Sequence, residues 1–185
     1  GQGHTISNLN VVATNGNGIG VFARINGTIS NINFTNLTIS QSAQYVGLMA
    51  GENAGTISNV NATGSYNVAE DDTTAQVMGG IAGNNSKTIA NVNANIDIDV
   101  NGVDKLGGIA GLNTGTLDSA TFNGKLNSDA YATGGLVGEN RGLVKYSTAN
   151  ASSLYAYVNG YTYLGGLAGV SSGSIYGRFV NITNT

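Results

Sequence analysis

Short stretches that interleave aliphatic residues with Thr, Ser and Asn recur along the chain. The clearest are Thr28–Phe34, Thr56–Asn61 and Thr88–Asn93. This interleaving, the β-branched residues and the Asn and Gly punctuation predict strands, and no stretch carries a 3.6-residue apolar stripe. A second strand is predicted before the next glycine pair, most clearly over Ile96–Val100 and Leu154–Val158.

A five-residue motif, Gly-Gly-x-Ala/Val-Gly, recurs between these strands, and we call it the glycine box. Complete copies span 79–83, 107–111, 134–138 and 165–169, and degenerate copies span 47–51 and 19–23. Successive boxes end 27 to 32 residues apart, near positions 23, 51, 83, 111, 138 and 169. An aliphatic anchor stands six residues after the end of every box: Ile29, Ile57, Ile89, Leu117, Val144 and Ile175. The segment from box to anchor therefore has a fixed length, and insertions are expected before the box.

Repeats of this length predict a stacked array. Three short strands per coil of about 28 residues favour a right-handed parallel β-helix of six to seven coils, with the box as the third strand. We expect one β-solenoid domain over residues 1–185. The box glycines are expected to permit positive φ at corners and close approach of neighbouring coils.

Asparagine supplies a second periodic signal. One residue of this type stands two positions after each of four boxes: Asn53, Asn85, Asn113 and Asn140. Equivalent amides in successive coils can bond to one another as a ladder. The alternative is the ordinary preference of Asn for turns.

Composition narrows the class of protein. Only 9% of residues are charged, 29 are Gly, and Cys, Pro and Trp are absent. A polar but weakly charged surface is typical of secreted bacterial repeat proteins, so we predict secretion or attachment to the bacterial cell surface. A net charge of −3 disfavours nucleic-acid binding, and no apolar run is long enough for membrane insertion. Because the chain ends inside a seventh repeat strand, we expect a fragment of a larger protein whose flanking domains cap the solenoid.

The box and the residues after it resemble the bacterial GLUG repeat, named for its Gly-Leu-x-Gly core. The closest copy is Gly134–Val144, and Ala130–Gly134 before it is similar to the Ser-Tyr-Ala-Thr-Gly segment of that family. The opening Gly1–Leu9 resembles the lead-in of such arrays, and the resemblance covers roughly residues 1–180. It implies a surface protein such as a filamentous-haemagglutinin-like adhesin, or the non-catalytic region of an immunoglobulin-A-cleaving metalloprotease. The first copy, 19–23, departs from the pattern, as a terminal repeat would.

Residues suited to catalysis are sparse. His4 is the only histidine and there is no Cys, so a zinc ligand set cannot be assembled. Glu70, Asp71 and Asp72 lie in the longest insertion, which we interpret as a solvated loop tip or as a calcium site formed by Asp71 and Asp72 with nearby oxygens.

A second pair of carboxylates, Asp97 and Asp99, faces outward from one strand, and the next two coils have no acidic residue at the aligned positions. Acid–base catalysis on a sugar needs two carboxylates paired across a groove. We therefore predict that the chain is not an enzyme, and no cofactor is implied.

Tyrosines give the stronger binding signal, and four of them follow Leu154: Tyr155, Tyr157, Tyr161 and Tyr163. The alignment places the first two at the positions of Asp97 and Asp99. A continuous strand would put all four on one face, whereas a hairpin turn at Asn159-Gly160 would turn the second pair away. Exposed tyrosines give large amphipathic contact areas. Contact with a host glycan or protein, and packing over the lateral face or against a neighbouring domain, both remain open.

The leading prediction is a structural and adhesive segment of a secreted bacterial surface protein, which acts as a stiff spacer and presents a ligand surface on one lateral face. The alternative is a carbohydrate-active enzyme or a carbohydrate-binding module on the same scaffold. An ice-binding solenoid would need a regular Thr-x-Thr face, and none repeats here.

Overall fold

The computed structural model describes residues 1–13, 16–40, 43–66, 77–156 and 162–177. These residues form strands and turns without a helix, and their strand pairings are parallel. The predicted all-β parallel solenoid is confirmed, with about six turns roughly 28 residues apart.

The strands are short except in three coils, where one strand runs for eleven to thirteen residues. In chain order they are β1 (His4–Ser7), β2 (Asn10–Val11), β3 (Gly18–Ile19), β4 (Phe22–Ile25), β5 (Thr28–Ile39), β6 (Tyr45–Gly47), β7 (Ala50–Asn53), β8 (Thr56–Tyr66), β9 (Val77–Gly79), β10 (Ala82–Asn85), β11 (Thr88–Val100), β12 (Lys105–Gly107), β13 (Ala110–Asn113), β14 (Thr116–Asp118), β15 (Thr121–Phe122), β16 (Lys125–Ser128), β17 (Ala132–Gly134), β18 (Val137–Asn140), β19 (Leu143–Lys145), β20 (Thr148–Ala149), β21 (Ser153–Ala156), β22 (Tyr163–Gly165), β23 (Ala168–Ser171) and β24 (Ser174–Tyr176).

Successive coils stack into three sheets, which we call A, B and C. Sheet B consists of β3, β6, β9, β12, β17 and β22, and sheet C consists of β4, β7, β10, β13, β18 and β23. The other twelve strands form sheet A. Each coil therefore passes through A, B and C in turn before it returns to A one level further along the axis.

The aliphatic anchors form one column of sheet A. Ile29 pairs with Ile57, Ile57 with Ile89, and the column continues through Leu117 and Val144. The fourth box residue forms a parallel column in sheet C, where Ala82 pairs with both Ala50 and Ala110. The predicted constant length from box to anchor is thus confirmed as a constant register between coils.

Sheet A turns a corner within its long strands. The two strands predicted over 88–93 and 96–100 are a single strand, β11. The buried residues of β11 are three positions apart from Ile89 to Val92 and two positions apart after that. The spacing changes because Asn91 adopts a left-handed conformation with φ of 52°. The aligned corner residues share this conformation: Asn31, Asn59, Ser119 and Tyr146. Asn tolerates this region better than most residues, which explains its recurrence at the corner.

The glycine box is a corner between two sheets, so the prediction that it forms a third strand is wrong. Gly107 ends β12, the chain bends over the next two residues, and Ala110 begins β13. Positive φ is likewise not the reason for these glycines, since the described glycines with positive φ are Gly3, Gly102 and Gly177. These glycines are needed because the backbones of neighbouring strands approach each other closely at the box.

The approach is tight enough to exclude a side chain. A Cβ on Gly107 would meet the carbonyl oxygen of Ala110 and lie 2.7 Å from the Cα of Val137 in the next coil. A Cβ on Gly111 would lie 2.6 Å from the carbonyl oxygen of Met78 in sheet B of the previous coil. Sheets B and C therefore pack backbone against backbone at the box.

The first coil differs from the repeat at this corner. Ile19 pairs with Val46 and Phe22 pairs with Ala50, so two residues lie between the paired positions in the first coil and three in the second. The alignment that matched Ile19 to Gly47 is therefore wrong by one residue, because the first corner is shorter.

The predicted asparagine ladder is confirmed inside the solenoid. Asn53, Asn85, Asn113 and Asn140 are fully buried. Each side-chain Nδ2 donates to the Oδ1 of the next, at 2.8, 2.7 and 2.8 Å. Asn140 ends the column by donating to Ser171 Oγ at 3.2 Å. The rest of the described interior is mainly hydrophobic, with Phe34 and Phe122 as its largest fully buried side chains.

Candidate ligand groove between sheets B and C

The contact of sheets B and C at the box leaves a groove beside it, and we call this the B–C groove. Gly169 lies in the groove, and a Cβ there would be only 2.7 Å from the backbone nitrogen of Thr133. Side chains from two repeat positions flank it: the residue two before the box, on sheet B, and the residue directly after the box, on sheet C. The repeat thus places equivalent positions of successive coils along this groove.

The part of the groove between these residues has a volume of about 490 Å³ and is open to solvent. Sheet B contributes Lys105, Ala132 and Tyr163, which are in register in three successive coils. Sheet C contributes Glu139 and Val170, which are also paired in register. Tyr131, just before β17, completes the wall. A volume of this size lies in the range of small-ligand sites.

An ion pair spans the groove from one sheet to the other. The Lys105 Nζ lies 3.6 Å from Glu139 Oε2, and Arg141 Nε donates to Glu139 Oε1. The Glu139 side chain is 14% exposed and that of Lys105 is 24% exposed, so this pair is held more firmly than a free surface pair. The carboxylate is fixed in position and keeps acceptor sites that the two cations do not use.

Two tyrosines form the opposite part of the wall. The rings of Tyr131 and Tyr163 meet edge to face, with centroids 5.2 Å apart and planes at 80°. About half of each residue is exposed, 51% and 49%. The neighbouring phenol of Tyr163 is the main cause that raises the pKa of Tyr131, and the Glu139 carboxylate adds to it, so this phenol is neutral at physiological pH.

Of the four candidate tyrosines, the structure describes Tyr155 and Tyr163, and these two lie on different sheets. Tyr155 lies on sheet A, where it pairs with Asn127 and thereby aligns with Asp99, two residues from the predicted match to Asp97. Tyr163 lies on sheet B. Tyr157, Tyr161 and the Asn159-Gly160 step lie outside the described residues.

The predicted outward carboxylates lie where the sequence put them. Asp97 and Asp99 are exposed on β11 and pair with Lys125 and Asn127 of the next coil. Their neighbours along the axis are therefore not acidic in that coil.

The calcium prediction concerns Asp71 and Asp72, which lie outside the described residues together with Glu70. Within the described ranges no three His, Cys, Asp or Glu side chains gather into a possible metal site. His4 is exposed on β1, and no described segment is a helix that could span a membrane.

The sequence patterns did not single out Lys105, Tyr131 and Glu139 as candidate site residues. The signal that could have found Lys105 and Glu139 is positional, since both stand at fixed offsets from a box. These offsets indicate a shared site only once the box is known to be a corner, because a corner brings the residue two before the box close to the residue directly after it.

Comparison with known proteins supports the fold. No family model matches the chain. Over a stretch of 69 residues the chain is 44% identical to halomucin from Haloquadratum walsbyi. This stretch makes up 36% of this chain and 1% of halomucin. A crystal structure from Bacteroides ovatus, named as a candidate immunoglobulin A1 protease, matches 96% of this chain with a TM-score of 0.64 and 20% identity. The chain spans 61% of that protein, and a likeness at this identity shows a shared β-solenoid fold.

Proposed function

We propose that this chain is a structural and adhesive segment of a secreted bacterial surface protein, in which the solenoid is a stiff spacer that also presents a ligand surface. The observation that carries the proposal is the continuous ladder between coils. Three parallel sheets and the column from Asn53 to Asn140 join each coil to the next. A chain in which each repeat is bonded only to its neighbours transmits force along the axis.

The buried amides add to this stiffness. Each links two coils and also donates to a backbone carbonyl of the next coil; Asn53, for example, donates to Thr88 O at 3.0 Å. Each such bond contributes about 0.5–1.5 kcal/mol, and a buried group left without a partner costs more. Separation of two coils would expose the amides of both, so the ladder opposes local opening.

A surface location is supported by the composition and by the relatives. The surface is poor in charge, with 9% charged residues in the chain. The similar stretch in halomucin and the shared fold with the Bacteroides ovatus protein are in keeping with an extracellular repeat segment. The resemblance of the glycine box to GLUG repeats points in the same direction.

The test of location uses intact cells that produce the full-length parent protein. An antibody raised against this chain should label intact cells, and an external protease should remove the label. Labelling that appears only after the cells are permeabilised would contradict the proposed location. For the spacer role, single-molecule pulling should show that the inner coils resist extension until they unfold at high force, and extension of the inner coils at low force would contradict it.

A carbohydrate-active enzyme or carbohydrate-binding module is the second candidate, and the B–C groove is the observation that favours it. Glu139 is the only acidic residue among the described groove residues, whereas hydrolysis of a glycosidic bond uses two carboxyl groups. Release of reducing ends from a panel of polysaccharides, abolished in Glu139→Gln, would favour an enzyme over a spacer.

A further inference from the structure

We infer that the B–C groove at Tyr131, Tyr163, Lys105 and Glu139 binds a neutral oligosaccharide. The inference rests on the proposed adhesive function and names the chemistry of its ligand. The groove is assembled from three successive coils, so its geometry is fixed by the same register that stiffens the solenoid.

The tyrosines supply the apolar contact that a sugar ring needs. Their planes stand at 80° to each other, and about half of each residue is open to solvent. Aromatic faces carry negative charge density, which attracts the weakly positive C–H hydrogens on one side of a pyranose ring. Two perpendicular rings make a corner that can hold one sugar unit by its face and its edge.

The ion pair supplies the polar contact. Lys105 offers donors and Glu139 offers acceptors 3.6 Å apart. Adjacent hydroxyl groups of a sugar each donate and accept, so they match a carboxylate beside an ammonium group. Arg141 holds the carboxylate from the other side and thereby limits its rotation. A fixed polar pair loses little side-chain entropy when a ligand binds.

The charge balance of the groove selects a neutral ligand. Among the described groove-lining residues Lys105 is the one cation and Glu139 the one anion, and Arg141, outside the lining, also pairs with Glu139, so these residues leave no charge of the groove wall without a partner. The two phenols add hydrogen-bonding groups without charge. Ala132 and Val170 keep the remaining wall apolar. An acidic sugar would have to compete with the Glu139 carboxylate for Lys105 and Arg141, whereas a neutral sugar can bond to the pair as it stands.

The test is a glycan array that carries neutral and acidic oligosaccharides, probed with the purified chain, followed by titration calorimetry with the best neutral binder. We expect neutral glycans to bind and Tyr131→Ala or Tyr163→Ala to weaken binding about tenfold or more. Tyr131→Phe keeps the ring and should retain most of the affinity. Tyr155→Ala is the matched control, because Tyr155 is similarly exposed, 56%, but lies on sheet A.

Several outcomes would overturn the inference: no glycan bound, acidic glycans bound alone, or equal losses in the Tyr155 and Tyr163 variants. A glycoprotein probe that binds equally before and after enzymatic removal of its glycans would show a protein ligand and would overturn it as well. Thermal unfolding of every variant separates lost binding from lost folding. Cell-surface labelling is independent of the groove, so a negative array with positive labelling would refute this inference and leave the proposed location standing.

Discussion

Each asparagine of the buried ladder satisfies polar groups in two coils at once. Asn113 accepts from Asn85 and donates to Asn140, at 2.7 and 2.8 Å, in a site without solvent contact. Removal of the Asn113 amide therefore leaves the buried Oδ1 of Asn140 without its donor and one N–H of Asn85 without its acceptor, while Asn85 still donates to Thr116 O. This makes the effect of a substitution larger than the loss of two ordinary hydrogen bonds.

We therefore predict that Asn113→Ala lowers the free energy of unfolding by about 2–4 kcal/mol. Urea denaturation measures the change. Asn61→Ala is the matched control, because its amide bonds to Asn33 at 2.9 Å on the exposed side of sheet A and water can replace it. That variant should lose less than about 1 kcal/mol. Equal losses in both variants would show that burial does not set the strength of the ladder.

Tyr66 gives the fold a dependence on alkaline pH. Its hydroxyl is buried and donates to the carbonyl of Gly79, which ends β9 in sheet B. Burial raises the pKa of the Tyr66 phenol well above its ordinary value. In the unfolded chain the phenol ionises near pH 10, whereas in the folded protein it stays protonated.

The sign of the pH effect follows from this difference. Below about pH 10 both states keep the proton and the full stability is present; above it, the unfolded state alone loses the proton. We predict that the free energy of unfolding then falls by up to about 1.4 kcal/mol per pH unit from this group. Urea denaturation between pH 8 and 11 should show a shallower fall in Tyr66→Phe than in the native protein. Tyr155→Phe, at an exposed site, should leave the slope unchanged, and a slope unaffected by Tyr66→Phe would contradict the prediction.

At the scale of elements, the glycine box decides how two sheets meet. Its period was readable from the sequence, but its role as a corner was not. The glycine box contains no polar side chains, and its glycines have no side chain at all. It therefore lacks the alternation of apolar and polar residues that distinguishes a strand from a bend. The corner is recognised only when Ala110 and Val137 of neighbouring coils are seen against the backbone of Gly107.

We predict that Gly107→Ala destabilises the fold by about 3 kcal/mol, since the added methyl group would meet backbone atoms that cannot move aside. Gly27→Ala is the control, because a Cβ there has no atom within 4 Å and its φ is not positive. That variant should be neutral, or more stable by up to about 1 kcal/mol. Thermal unfolding of both variants measures the difference. A tolerated Gly107→Ala would mean that sheets B and C can separate at the box.

At the scale of the whole molecule, the solenoid is a stack in which inner coils have neighbours on both sides. The box residues Ile109 and Leu136 of inner coils are fully buried or nearly so, 0% and 1% exposed. Residues of the described outer coils are more open: Val12 is 58% exposed and Leu164 is 48% exposed. Stability should therefore fall from the middle towards both ends.

Hydrogen exchange read out by mass spectrometry tests this gradient. We expect the slowest exchange in β10–β13 and faster exchange in β1–β3 and β22–β24 of the isolated chain. The reason is the number of neighbouring coils, because local propensity is nearly the same in every repeat. Uniform protection along the chain would indicate a single cooperative unit and would contradict the gradient.

The sequence by itself determined the coil. The glycine box and the anchor recur at a spacing that matches one turn of the solenoid. Because successive coils contact each other through equivalent residues, this repeat period was enough to predict the register between coils and the column of asparagines. Tertiary structure alone decided what meets across the coil. Lys105 and Glu139 belong to different repeats and different sheets, and they meet because the glycine corner folds sheet B onto sheet C. Likewise Tyr163 packs against Tyr131 and not beside Tyr155, because Tyr155 lies on sheet A and Tyr163 lies on sheet B.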